Sequence, residues 1–166
     1  MSLTIRGLLF GGRRGLLVED APPHPTFAVD IGVVAGGAGY AAELIPGGRR
    51  VQVKSVWFSK PSVAVTFRLI KASSPSTVGT STSGTVVRLG AGGGAYANVK
   101  LFTGAPTAGI AIGDVFEMAV ATDGSVEVTF GDNGTEPLEL TATQALGINV
   151  SAACTVVGRI VFQEVT

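Results

Sequence analysis

Apolar and polar residues alternate one by one along most of this chain. No window holds the 3.6-residue apolar period of an amphipathic helix. Val63, Val65, Phe67 and Leu69 share one face of the run Ser62 to Lys71. Phe116, Met118 and Val120 share a face opposite Glu117, and Val126, Val128 and Phe130 alternate with Glu127 and Thr129. Val51 to Phe58 behaves in the same way before Pro61 interrupts, and Val156, Ile160 and Phe162 share a face of the last run. A period of two is the strand period, so one side of each run is expected to line a core. Asp123-Gly124 between two such runs is the preferred two-residue hairpin turn, and Asp132-Asn133-Gly134 closes the next run. Ser73 to Gly84, Gly90 to Ala95 and Thr103 to Gly113 read as loops. About eight strands are expected between Arg49 and Glu164, spaced as in an all-β antiparallel sandwich of jelly-roll-like kind.

Residues 1–48 differ in texture. They hold Pro22, Pro23, Pro25 and Pro46 and the run Gly36-Gly-Ala-Gly39, with two short apolar strands near Leu3–Phe10 and Thr26–Val34. The segment Ala21-Pro-Pro-His-Pro25 favours an extended path. The expectation is an N-terminal arm over 1–48, too short to bury a core of its own, followed by a sandwich domain over 49–166. The arm's apolar residues, Leu8, Leu9 and Phe10 among them, would then seek a neighbouring subunit. Arg13, Arg14, Arg49 and Arg50, from two copies of Gly-Gly-Arg-Arg, are the candidate interface cations. Ordinary solvated arginines at strand starts are the alternative.

Composition narrows the chemistry. Of 166 residues 24 are glycine, 46% are hydrophobic and only 14% are charged, so the chain is folded and chemically quiet. Twelve basic and twelve acidic residues cancel. The balance is uneven along the chain: residues 1–100 carry a net +7, and residues 101–166 a net −7. Either two complementary surfaces meet between copies, or basic and acidic strands are neighbours inside one sheet. Neither gives the basic excess of a nucleic-acid binder.

Met1 to Phe10 has too short an apolar core for a signal peptide. The uncharged stretch Leu140 to Gly158 carries polar residues on no single face, so a membrane span is not expected. A soluble protein made in a cytoplasm is.

No candidate site carries a catalytic signature. Gly90-Ala-Gly-Gly-Gly-Ala95 lacks the lysine and the helix of a phosphate loop. Asp114, Asp123 and Asp132 recur at equal spacing, a pattern of hard oxygen ligands for calcium, but successive turns should hold them apart. Glu117 and Glu127 flank one turn, with Glu136 and Glu139 nearby, as a glycosidase pair would, yet their alternation points them onto a solvated face. Cys154 is alone and in apolar company, and His24 is the one histidine, so no metal, cofactor or nucleophile is expected. Trp57, Phe58, Tyr40 and Tyr96 form a candidate sugar-stacking set, although adjacent Trp57 and Phe58 cannot both face outward. Asn133-Gly-Thr135 and Asn149-Val-Ser151 match the glycosylation sequon, which carries little weight without a secretory signal.

The C-terminal residues carry a resemblance. Glu136-Pro-Leu-Glu-Leu140, Gln144-Ala-Leu-Gly-Ile-Asn-Val150, Ser151-Ala-Ala153 and Thr155-Val-Val-Gly-Arg-Ile-Val-Phe-Gln-Glu164 resemble the closing strands of small β-sandwich virion proteins of tailed bacteriophages. The resemblance covers about 30 residues and transfers no functional side chain. It implies a non-enzymatic virion component, a capsid decoration or head-associated protein first and a tail or fibre component second. Such a protein would be made in the bacterial cytoplasm, often trimeric, with the major capsid protein as a partner. A glycan-binding adhesin module that contacts the host surface is the alternative.

Overall fold

The computed structural model describes residues 4–10, 13–19, 24–77, 79–104, 106–131 and 136–165. These residues are all-β, without a helix among them. The strands are β1 Thr4–Phe10, β2 Arg13–Glu19, β3 Thr26–Ala35, β4 Gly39–Ile45, β5 Arg50–Ser59, β6 Val65–Ala72 and β7 Ser81–Ser83. They continue as β8 Val86–Arg88, β9 Asn98–Phe102, β10 Ala111–Val120, β11 Ser125–Thr129, β12 Leu138–Leu140, β13 Ala145–Val150 and β14 Cys154–Val165. Sheet I runs β10-β6-β13-β4-β9-β7, and sheet II runs β11-β5-β14-β3-β8 with β12 also on β5. All pairings are antiparallel.

The two sheets close on one apolar core. Phe58 of sheet II meets Phe67 of sheet I with ring centroids 4.5 Å apart, and Phe27 stacks on Phe162 at 5.6 Å. Val51, Val53, Val56, Leu69, Leu44, Ile148 and Ile160 fill the space between. In β5 the inward residues change from odd to even numbers after Val53. The register of β5 on β14 shifts between Val161 and Phe162, so Lys54 is an extra residue, and this bulge keeps both halves of the strand facing the core. Ala41 does the same service in β4, where Gly39 and Tyr40 pair with Val150 and Asn149 but Ala42 pairs with Ile148.

Three expectations need correction. The boundary between arm and sandwich does not fall at residue 48: β3 pairs with β14 over ten residues, β4 is interior to sheet I, and Phe27, Val29, Ile31 and Leu44 are core residues. The proline run ends at Pro25, before β3; Pro46 lies in the β4–β5 connection, and the glycines at 36–39 carry the chain from one sheet to the other. Among the described residues, β1 and β2 form a two-stranded sheet that shares no strand pairing with the sandwich.

Second, Asp123-Gly124 does not close a hairpin. β10 lies in sheet I and β11 in sheet II, so the turn is a crossover. Its central residues are Thr122 and Asp123, Gly124 N–H donates to the Ala121 carbonyl at 2.9 Å, and Asp123 takes the left-handed φ of 58°. The turn is braced by the β5–β6 crossover beside it, through Lys60 N–H to Gly124 O at 2.8 Å and Asp123 N–H to Pro61 O at 3.1 Å. Among the described residues, no two consecutive strands of the sandwich pair with each other. Alternation reports which side of a strand is apolar but carries no information about which sheet receives it.

Third, not every alternating run is buried as a face. Val63 precedes its strand and is exposed, and Met118 on edge strand β10 is exposed where Val120 is buried. The short strand β7 also falls inside the segment expected to be loop.

Candidate binding face

The residues singled out in the sequence scatter. Leu8, Leu9 and Phe10 pair by backbone with Gly15, Arg14 and Arg13 across the β1–β2 hairpin, and their side chains lie outside the described residues. Arg49 stacks its guanidinium 3.6 Å above the ring of Tyr96, while Arg50, exposed at the start of β5, pairs with Val165. Glu117 and Glu127 stand on the outer faces of opposite sheets, so they form no catalytic pair; Glu117 is bound to Arg68 at 2.7 Å. Glu139 accepts from Gln52 at 2.7 Å. Asp114 is on β10 and Asp123 in the crossover turn, and Asp132 and the sequon at Asn133 lie outside the described residues. Among the described residues no group of His, Cys, Asp and Glu could hold a metal ion. Cys154 is buried, and burial pushes its thiol pKa up, away from the reactive thiolate. No helix of the described residues is long and apolar enough to cross a membrane.

The four aromatics also part. Phe58 is a core residue, and Tyr40 is 5% exposed, with its ring against Gly147 on the outer side of sheet I. Burial raises the Tyr40 pKa, with the charges of Glu43 and Asp114 adding to it. Trp57 and Tyr96 remain open, at 38% and 57% exposure.

Trp57 belongs to a row that sequence reading did not find. Antiparallel register sets Glu127 of β11 against Trp57 of β5, Trp57 against Arg159 of β14, and Arg159 against Asp30 of β3. The four residues cross the outer face of sheet II in that order. Arg159 Nε donates to Asp30 Oδ1 at 2.6 Å, which lowers the Asp30 pKa. The Glu127 carboxylate has no hydrogen-bond or ion-pair partner among the described residues. Arg159 divides two shallow depressions. One, about 560 Å³, is lined by Ser55, Trp57, Glu127, Arg159 and Val161; the other, about 170 Å³, by Ala28, Asp30, Thr85, Val87, Leu89 and Arg159. Asp30 and Arg159 are 129 positions apart, so only the sheet brings them together.

Two buried glutamates were also invisible as a pair. Glu43 accepts the Ser76 N–H at 2.9 Å and the Ser76 hydroxyl at 2.6 Å, fastening the β6–β7 loop over the outside of sheet I. Glu164 accepts the N–H groups of Tyr96 and Ala97 at 2.6 and 2.8 Å, closing one end of the sandwich. Both are carboxylates inside apolar strands, the one signal that could have marked them. Each satisfies backbone donors that burial would otherwise strand.

No family model matches the chain, and no curated protein and no solved structure matches it.

Proposed function

We propose that the protein is a non-enzymatic structural component of a tailed-bacteriophage virion, a capsid decoration or head-associated β-sandwich anchored through its N-terminal hairpin. The observation that carries this reading is the division of labour along the chain. The sandwich from Thr26 onward has a core of its own, whereas among the described residues β1 and β2 pair only with each other. A two-stranded ribbon is marginal by itself in water, and this one carries Ile5, Leu8, Leu9, Phe10, Leu16, Leu17 and Val18. A third strand or an apolar surface on a neighbour, a second copy or the major capsid protein, supplies what it lacks. The resemblance of the closing strands β12 to β14 to virion sandwich proteins supports the same reading, and a tail or fibre location is the second placement it allows.

The test is deletion of residues 1–23. Deleting 1–48 would remove two core strands and so test folding instead. The shortened protein is expected to keep its β circular dichroism and melting temperature but to be missing from purified particles, in which mass spectrometry counts the full chain at a fixed copy number. Normal incorporation of the shortened protein would refute the anchor, and absence of the full chain from particles would refute the virion role.

A further inference from the structure

We propose that the outer face of sheet II is a binding site for an uncharged oligosaccharide, laid across the strands along the row Glu127, Trp57, Arg159 and Asp30. The proposal is independent of where in a particle the protein sits. Neighbouring strands lie about 4.8 Å apart, so the face from β11 to β8 extends about 19 Å. That is room for a few linked pyranose rings. The two depressions on either side of Arg159 give such a chain two successive seats.

The chemistry of the row fits a sugar better than other ligands. Trp57 offers an exposed aromatic ring, apolar in body and polar at its N–H, beside the small Ser55. The C–H face of a pyranose packs on such a ring. Around it the polar groups follow one another as acceptor, donor and acceptor: Glu127, Arg159 and Asp30. Hydroxyl groups both donate and accept, so a polyol can match that order. The ion pair to Asp30 occupies the Nε donor of Arg159 and orients the guanidinium, whose other N–H groups are not used by any described residue.

Charge selects within the sugars. Arg159 and Asp30 cancel, and Glu127 leaves the row with one negative charge. A uronate, a sialylated glycan or a phosphate backbone is disfavoured there. A second copy of the sheet is disfavoured for a different reason. Flat packing would strip water from Glu127 and from the Arg159–Asp30 pair without returning hydrogen bonds. A polyol returns them.

Trp57 is the sole tryptophan, so fluorescence excited at the red edge, where tyrosine does not absorb, reports on this face alone. The full-length protein would be titrated with maltohexaose, cellohexaose and laminarihexaose, with hexagalacturonate as the anionic control. Expected is a saturable change in emission with at least one neutral hexaose and none with the galacturonate. By calorimetry, Trp57→Ala and Arg159→Ala should each weaken that hexaose at least about tenfold, with melting temperatures retained. Glu127→Gln should weaken it less. No saturable response to any of the three neutral hexaoses would overturn the proposal. So would preference for the galacturonate, or binding that survives Trp57→Ala. Light scattering that shows a dimer lost in Trp57→Ala would assign the face to a second copy instead.

Discussion

The outer faces of the two sheets are built by the same alternation but end differently. On sheet I the outward positions Tyr40 and Glu43 are buried: the Tyr40 ring lies against Gly147, and Ser76 of the β6–β7 loop reaches Glu43 with both its N–H and its hydroxyl. On sheet II the equivalent outward positions Trp57, Glu127, Asp30 and Arg159 stay open. The same residue type therefore does opposite work. Glu43 is a fastener that a polar loop needs. Glu127 contributes nothing visible to folding and is available to something outside the chain. A polar group kept on an open face beside an exposed tryptophan, without a structural use, is where a binding function is best sought.

The sharpest way to break this comparison is to remove a glutamate from each face. Glu43→Ala leaves the buried Ser76 N–H and hydroxyl without their acceptor and should cost about 2–3 kcal/mol. For a chain of this size that is a fall in melting temperature on the order of 5–10 °C. Glu127→Ala should stay within about 0.5 kcal/mol of the parent. Urea denaturation of the two variants side by side is the check. Equal losses would mean that Glu127 has a structural role and that sheet II is not the free face.

Two glycines repeat the contrast with a smaller effect. A Cβ on Gly147 would stand 2.4 Å from the Tyr40 ring, so Gly147→Ala must displace a packed aromatic and should cost about 1–3 kcal/mol. A Cβ on Gly32, on the outer side of sheet II, would meet nothing within 4 Å. Gly32→Ala is expected to be neutral or to stabilise by up to about 1 kcal/mol, since alanine narrows the unfolded ensemble. Calorimetric melting separates the two. A loss from Gly32→Ala would show that sheet II is covered after all.

The contrast between the faces also marks how far the sequence could be read. Period-two alternation was enough for an all-β sandwich and for the inward set Val51, Val53, Phe67, Leu69, Ile160 and Phe162, because side-chain direction in a strand is a local property. It was enough, too, to say that only one of Trp57 and Phe58 faces out. Sheet membership is not local. The crossing at Ala121 to Gly124 looks like a hairpin from inside its own residues, and only the unpaired sides of β6 and β5 decide where β10 and β11 go. Strands β3 and β4 read as an arm for the same reason: their partners are distant in sequence, β8 and β9 more than fifty residues further on and β14 and β13 more than a hundred. The row across sheet II inherits that difficulty, since its four residues come from four strands. Glu43 could have been suspected from its run of apolar neighbours, but its partner Ser76 sits 33 positions away in a loop.

Cys154 gives a probe of the core that lies between the faces. It is buried and its pKa is raised by desolvation, so alkylation by iodoacetamide near neutral pH should be at least about tenfold slower than in unfolding urea. Labelling then proceeds through opening of the structure, and Glu43→Ala should speed it while Glu127→Ala leaves it unchanged. Rapid labelling of the native parent would place Cys154 at a surface and contradict the packing of β14.

The smallest effect lies within the row itself. The hydrogen bond from Arg159 holds the Asp30 carboxyl below its ordinary pKa of 3.8, and the nearby positive charge acts in the same direction against a slight desolvation. A carboxylate whose folded-state pKa is depressed contributes stability above its unfolded pKa and loses it as pH falls through the folded one. The contribution of this pair is therefore complete at neutral pH and disappears only below about pH 4. Because both side chains are more than half exposed, solvent screens the interaction and the change in overall stability should be slight. The direct measurement is the carbon-13 carboxyl titration of Asp30 by NMR. Its midpoint should fall below 3.8 in the parent and return toward 3.8 in Arg159→Ala, while Glu127→Ala leaves it nearly in place. A midpoint at or above 3.8 that ignores Arg159→Ala would mean that the guanidinium is not held by Asp30 in solution, and the row would then lack the oriented donor at its centre.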